Sequence, residues 1–538
     1  VLVDVTVTDK DLPVRGLKAE NFVLEDSGKK QTIALFDVTE SSTLRTSGAA
    51  LPAGVASNKL NAKGELQSTA SVLLYDRINS NVQDQAFVRK QILGVLAGLK
   101  DSDRLGFYSI GLQGLQIVND YDEDAALLAK AAKAMVVSDT VPVDFNAAEK
   151  MMFNALFQSL TPTQEMANQA RVNVTYPAFQ SIGRHLGGVL GRKNLMWITS
   201  AFPLTYGNQQ ERRQDDQREV EKFTRYMTEN NVAVFPIDPS GTGTTDMTSQ
   251  AGLGQTTGSS FANRGGAPQA NEGAILAAEG NALRNAEGTG AINQTESSLN
   301  GSQSMLIVAD ATGGKAFRNV NDISPALREV ISASEYTYTL GFYPDAASLN
   351  GSKRDLRVTL TKTDIKAKVT HRKQYYGWGP TTPKDQQEVA DMQEVLRQGF
   401  PSTRIGLLAV AKPEAPESGK TVVNVRIAAG DLHFDYVNGK WMGDFEVAII
   451  PEGGGTGAAK NFTPAFSDEE LKTIVTNGMD ISPEVIQTGA KPGVFHIAIV
   501  DKKSGLAGSL LLPYQAAATA PPAAAPAAAA ETPTLILK

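Results

Sequence analysis

Between Ser71 and Asp238 apolar, strand-like runs alternate with segments of helical period, and no other feature constrains this chain as tightly. SVLLYD is followed by QDQAFVRKQILGVLAGL, in which Phe87, Ile92, Val95 and Leu96 recur at helical spacing, and then by DRLGFYSIG. Strands apolar along their whole length are buried on both faces, and successive ones joined through a helix run parallel. The pattern goes on through DEDAALLAKAAKAM, helices expected over 145–160 and 176–190, the strand NLMWITS, a charged helix from Gln209 to Glu229, and the strand NVAVFPID. A doubly wound α/β domain with helices on both faces of one sheet is the expectation.

Residues 240–302 break the pattern with a stretch rich in Gly, Ser, Asn and Ala, read as a long surface insert. Alternation resumes in SQSMLIVADATGGKAF, where Gly313-Gly314 stops a helix, and Ser324-Pro325 is expected to cap the next. EYTYTLGFYP is read as the closing strand of this domain, which gives it the bounds 70–345. Ahead of it, Val1, Val3, Val5 and Val7 alternate with polar residues in a β module over 1–40, and 41–69 lose all periodicity, as a linker does. Behind it, RDLRVTLTK and IKAKVTHRK are read as a hairpin turning at Thr363-Asp364, within a 346–376 segment that extends the N-terminal module. After a Gly/Pro linker, a helix over 384–398 and the strands LLAVAK, KTVVNVRI, DFEVAIIP, GVFHIAIVD and AGSLLLPYQ predict a β-sandwich-like domain over 384–515. Residues 516–538 form a Pro/Ala tail that ends in TLILK. The fold class expected is therefore α/β plus β, a central doubly wound domain between two β-rich modules.

Composition removes several function classes. A net charge of −7 with dispersed lysines and arginines offers no basic stripe to nucleic acid. No apolar run is long enough for a membrane helix, and the Ala-rich tail is broken by Pro521, Pro522 and Pro526. The absence of cysteine excludes disulfides, thiolate zinc sites and thiol nucleophiles, and it fits bacterial export. An opening at Val1, directly in a strand pattern, suits a chain whose signal peptide has been removed, so a secreted or cell-surface location is expected. The four histidines, His185, His371, His433 and His496, stand too far apart in sequence to suggest a metal pair.

Taken together, VDVTVTDKDLPVRGLKAENFVLEDSGKKQTI, VLLYDRINSNVQDQAFVRKQI, DRLGFYSIG, WITSAFP, FPIDPSG, ATGGKAFRNVNDISPALREVI and YTLGFYP resemble the von Willebrand factor A-related proteins of Acidobacteria, over residues 1–376. The resemblance implies a von Willebrand factor A-like fold and directs attention to that fold's metal-ion-dependent adhesion site, an Asp-x-Ser-x-Ser loop with a Thr and a second Asp from other loops. Asp76 takes its first position and Ser80 its last serine, but Ile78 stands at the middle serine, with Asn79 beside it. Ser200 or Thr199 stands where the second Asp belongs, and Thr140 is the loose counterpart of the threonine. One carboxylate among neutral oxygens is a poor match for Mg²⁺ or Ca²⁺. The reading is a degenerate, empty site in which Asp76 instead organises its own loop by accepting backbone amides.

Other motifs carry less. Thr312-Gly313-Gly314-Lys315 has a phosphate-loop flavour without the spacing, and it reads as a helix stop. The pairs Asp215/Asp216 and Glu469/Glu470 read as solvated helix faces, and Tyr336, Tyr338, Tyr375 and Tyr376 as strand packing. No cofactor is expected. The functional expectation is a non-catalytic, protein-binding subunit that self-associates into a homo-oligomer or polymer, with Thr534, Leu535, Ile536 and Leu537 adding a strand to a neighbour's sheet. An adhesin-like binder working through the face near Asp76, and a metal-assisted hydrolase, are the alternatives.

Overall fold

A computed structural model describes residues 1–121, 128, 164–200, 209–239, 295–378 and 390–514, apart from 11, 41–45, 48–49, 53, 62, 67–68, 81, 99–104, 112–113, 190, 319, 362–366, 398, 416–417, 453–455, 482 and 489–491. The chain opens with strands β1 (Leu2–Asp9), β2 (Phe22–Asp26), β3 (Lys29–Gln31), β4 (Leu35–Glu40) and β5 (Val55–Ser57). It continues through β6 (Ala70–Asp76), α1 (Val82–Ala97), β7 (Gly106–Gly111), β8 (Gly114–Asn119), α2 (Gln164–Leu186), β9 (Lys193–Ile198), α3 (Gln209–Glu229), β10 (Val232–Ile237), α4 (Thr295–Thr312) and α5 (Ile323–Ala333). Then come β11 (Tyr336–Gly341), β12 (Lys353–Leu360), β13 (Lys368–His371), β14 (Gln374–Tyr376), α6 (Met392–Arg397), β15 (Leu407–Pro413), β16 (Lys420–Ile427), β17 (Phe445–Pro451), β18 (Ala458–Phe462), β19 (Glu484–Gln487), β20 (Gly493–Asp501) and β21 (Ala507–Tyr514). The architecture is α/β plus β.

The central sheet has the order β8-β7-β6-β9-β10, with β7, β6, β9 and β10 parallel and β8 an antiparallel edge. Period-two alternation divides its buried side chains between two cores. Val72 and Leu74 of β6 and Leu195 and Trp197 of β9 join Phe179 and Ile182 of α2, Phe223 and Met227 of α3 and Val308 of α4 on one face. Leu73, Tyr75, Met196 and Ile198 meet Val88 and Ile92 of α1 and Ile323, Leu327 and Val330 of α5 on the other. Past β10 the sheet gains one more short parallel contact, as Phe317 N–H bonds to the Pro236 carbonyl (2.8 Å) and Asp238 N–H to that of Phe317 (2.8 Å).

Several boundaries differ from the sequence reading, each for a physical reason. Tyr336–Gly341 does not close the central sheet. It pairs antiparallel with β1 on one side and β4 on the other, and its inward Tyr338 and Leu340 share a core with Val3, Val5, Val7 and Phe22. The half-polar pattern YTYTLG suits a sheet with one buried face, not a central parallel strand. Among the described residues the expected hairpin of RDLRVTLTK with IKAKVTHRK is also absent as a ladder, because β12 pairs with β2 and β14 whereas β13 pairs with β1 in the facing sheet. The N-terminal module is thus two sheets, β13-β1-β11-β4 and β14-β12-β2-β3, packed about one apolar core.

The 41–69 segment is more than a linker, since its Val55–Ser57 adds a strand to β15 and so belongs to the C-terminal module. Helix α4 begins at Thr295, ahead of the expected end of the insert at 302, and 240–294 lie outside the described residues. Helix α5 is capped by Asp322, whose carboxylate accepts the Ser324 N–H, not by Ser324. Its Pro325 falls in the first turn, where no intrahelical N–H is needed. The helices expected at 122–135 and 145–160 lie outside the described residues except at Leu128, as do residues 515–538.

The C-terminal module packs β5, β15, β16 and β19 against β18, β17, β20 and β21 about a shared core that includes Val423, Val425, Phe445, Ile497 and Leu512. Helix α6 falls within the expected 384–398, of which 384–389 and 398 lie outside the described residues, and lays Val395 on the outer face of β20 and β21, against Ala498 and Ala507. The module docks on α2 through Thr403, whose Oγ1 donates to the His185 carbonyl (2.5 Å) and accepts from Gly188 N–H (2.8 Å). No helix among the described residues is long and apolar enough to cross a membrane.

Candidate functional site

Asp76 ends β6, and the chain turns there into α1, so its carboxylate stands at the carboxyl ends of the parallel strands, where open α/β sheets gather their ligands. In this molecule the carboxylate is fully buried and wholly engaged. Oδ1 accepts the Ile78 and Asn79 backbone N–H groups at 3.1 and 3.0 Å. Oδ2 accepts the Asn79 side-chain amide at 2.8 Å and the Trp197 indole N–H at 3.0 Å. Burial raises the Asp76 carboxyl above the ordinary carboxylate range, and these donors offset only part of that rise.

The remaining expected ligands support the same loop. The Asn79 amide also donates to Thr175 Oγ1 of α2 at 2.9 Å, and Ser80 Oγ donates back to the Asp76 carbonyl at 2.5 Å. Thr199 Oγ1 points to the Asn79 carbonyl at 3.4 Å, and half-buried Ser200 follows it at the end of β9. Gln85 of α1 closes the turn by donating to the Arg77 carbonyl at 3.2 Å. Asp76, Asn79, Ser80 and Thr199 are therefore brought together, but around protein donors. A divalent ion at Asp76 would have to displace the indole and the Asn79 amide, and it would gain one carboxylate; the residues present do not fit the ion. Thr140, Asp215, Asp216 and Thr534–Leu537 lie outside the described residues or their described side chains.

Sequence reasoning missed Trp197 and Thr175 as partners, because both sit inside apolar strand and helix patterns that betray no polar role. It also missed a partly buried pair just past β8, toward the strand-start end of the sheet: His185 Nε2 lies 3.0 Å from both carboxylate oxygens of Asp120, and His185 Nδ1 lies 2.6 Å from the Pro401 carbonyl. Burial drives the Asp120 carboxyl upward, but His185, the Tyr108 hydroxyl and the Tyr121 amide together outweigh it and hold the group below the usual range. Glu470, weighed with Glu469 as an acid/base pair, is spent in a capping box with Ser467 at the start of the Asp468–Asn477 helix. Gly313 takes a left-handed φ of 79° just past α4, and Gly314 packs so close to Val234 that any Cβ would overlap its carbonyl, so this motif is a helix stop.

No family model matches the chain, and no curated protein matches it. Among solved structures it is similar to proximal thread matrix protein 1 from the mussel byssus, at 11% identity and a TM-score of 0.22, over 50% of this chain and 48% of that one. It is similar also to the TFIIH p34 N-terminal domain, at 9% identity and a TM-score of 0.16, over 32% of this chain and 80% of that one. The chain thus spans about half the length of the first of these.

Proposed function

We propose that this chain is a non-catalytic, extracytoplasmic protein-interaction protein, built around a doubly wound von Willebrand factor A-like domain, that serves as a structural subunit of a self-associating surface or extracellular assembly. The observation that carries the reading is the closure of the strand-end centre. The Asp76 carboxylate, placed where such a sheet works on ligands, is consumed by four N–H donors and held out of solvent. A metal-assisted hydrolase built on Asp76 would first have to dismantle that loop. Neither Mg²⁺ nor Ca²⁺ is part of the proposal.

Sheet edges supply the means of association. The C-terminal module already takes a strand from a distant part of its own chain, because β5 joins β15 in antiparallel register from Val55↔Val410 to Ser57↔Leu408. On its other sheet, β18 is paired only to β17 among the described residues and is mostly exposed. An open edge of this kind is the receptor that strand addition requires. Thr534–Leu537 is the proposed donor, tethered by a Pro/Ala linker whose roughly fifteen extended residues span about 45 Å. Removing residues 516–538 and measuring particle size by light scattering tests this: the truncated chain should be monomeric where the full chain is not, and an unchanged size would overturn tail-mediated assembly.

A further inference from the structure

Alternation along β1 sends Val3, Val5 and Val7 into the module core and leaves Asp4, Thr6 and Thr8 on the opposite face. That face is pressed against the strand-start end of the central sheet, where Asn231 donates to Asp4 at 2.6 Å. Three cations gather there. Arg192 and Lys193 are buried at the start of β9, and Arg372 is half-buried just past β13. Their hydrogen bonds go to neutral acceptors. Arg192 reaches Asn194 Oδ1 (3.0 Å) and the Gly313 carbonyl (2.7 Å), Lys193 the Val189 carbonyl (2.7 Å), and Arg372 the Thr228 (2.9 Å) and Leu2 (2.6 Å) carbonyls. Asp4 is bonded to Asn231 and to Thr339 Oγ1 (2.8 Å) and forms no ion pair with any of the three among the described residues. So much buried positive charge against a single carboxylate is costly without an anion. Burial, only partly offset by Asp4, accordingly pushes the Lys193 ammonium down to about 7.

A cleft of about 40 Å³ opens beside this cluster, between the β1 sheet and α5. Thr6 and Thr370 face each other across the β1/β13 ladder, as do Thr8 and Lys368, and all four line the cleft together with Arg192. Glu329 is the carboxylate of the lining, and Lys315 neutralises it at 2.6 and 2.8 Å. Among the described residues, the hydroxyls of Thr6, Thr8 and Thr370, the Lys368 ammonium and Arg192 Nη1 have no hydrogen-bond partner. Arg192 is thus held at two corners with its third nitrogen left for the cleft. A site needs roughly 10–15 Å³ for one water, so this one has room for about three, which is the space of one four-oxygen anion.

We propose that this cleft binds a small tetrahedral oxyanion, inorganic phosphate or sulfate or the phosphoryl head of a larger molecule, through Arg192 Nη1, Lys368 and the hydroxyls of Thr6, Thr8 and Thr370. The bound anion joins the N-terminal module to the central domain by bridging donors from both.

The test is isothermal titration calorimetry of the full chain with sodium phosphate, sodium sulfate, a phosphate monoester and sodium acetate at matched ionic strength. Phosphate and sulfate should bind and acetate should not, and a monoester that binds more tightly than phosphate identifies the head of a larger molecule as the source. Lys368→Gln and Thr370→Val, both at the sheet surface, should each weaken binding about tenfold, since each removes a donor to a charged acceptor. Arg192→Lys should weaken it further, but that change also strips bonds to Asn194 and Gly313, so the two rim variants carry the decision if it fails to fold. Heat signals no larger than those of sodium chloride, or phosphate affinity unchanged in both rim variants, would overturn the proposal.

Discussion

Replacing Asp76 with Asn tests whether the strand-end centre is a structural knot. The carboxylate offers two oxygens to four donors, two on each side. A carboxamide has one acceptor oxygen and one NH₂ group. Whichever way it is turned, two of the four donors lose their acceptor and meet another donor. A buried donor left unsatisfied costs about 1–3 kcal/mol, and two of them about 2–6 kcal/mol. The neutral amide gives part of this back, because burial disfavours the Asp76 charge. Asp76→Asn should therefore destabilise the central domain by about 2–4 kcal/mol, read as a lower urea midpoint at unchanged slope. The same titration in EDTA and in excess Mg²⁺ separates this from metal binding, since a ligand at a hundred times its Kd would stabilise the wild type by about 2.7 kcal/mol. The midpoint should be the same in both media. A loss below 0.5 kcal/mol in Asp76→Asn, or a Mg²⁺-dependent midpoint that the substitution abolishes, would refute the reasoning.

Two further outcomes follow from the packing. His371 Nε2 accepts the Val358 N–H at 3.0 Å while Nδ1 lies 2.7 Å from the Arg372 carbonyl, so both nitrogens are spent on the neutral ring, and burial, followed by the nearby Lys373 charge, pushes its pKa down to about 4. The unfolded chain takes up this proton near 6.5, so His371's contribution is complete above that pH and is lost progressively down to about 4, amounting to about 3 kcal/mol; His371→Gln should flatten that acid limb in urea titrations across pH 4–7. Gly188 lies against the Thr403 backbone so closely that a Cβ would overlap its carbonyl, so Gly188→Ala should loosen the C-terminal module from α2, by about 2 kcal/mol or more, and split one thermal transition into two by calorimetry; an unsplit transition at the wild-type temperature would contradict the docking described.

The parallel core was legible because its strands are apolar on both faces: SVLLYD and NLMWITS have no other soluble home than the middle of a covered sheet. The loop role of Asp76 could also be read, since an Asp at a strand end commonly takes the amides that follow it. What escaped were decisions made by long-range pairing. Nothing local in EYTYTLG separates an edge of the α/β sheet from a strand of the β module, and only the distant partners Val3, Val5 and Phe36 decide it. Val55-Ala56-Ser57 is too short and too plain to announce itself as a strand until β15 is placed beside it. The cationic junction was invisible for the same reason: Arg192 and Lys193 adjoin a strand, Arg372 another, and Asp4 a third.

The β module that opens the chain is completed only by strands that come after the whole central domain, the N-terminal amine itself bonding to the Phe342 carbonyl at 2.8 Å. During synthesis β1, held meanwhile only by its short bridge to Leu12 and Pro13, must therefore wait for more than three hundred residues before β11 and β13 emerge. Closing a loop of that length through a disordered chain costs about 5 kcal/mol in entropy. A central domain that folds first cancels most of that cost, because its compact body already brings its own two ends together. Folding then has an order imposed by topology: centre first, clasp second. Until the clasp shuts, the edges of β1 and β4 stand open, and in that interval the growing chain is most exposed to capture by a neighbour of its own kind.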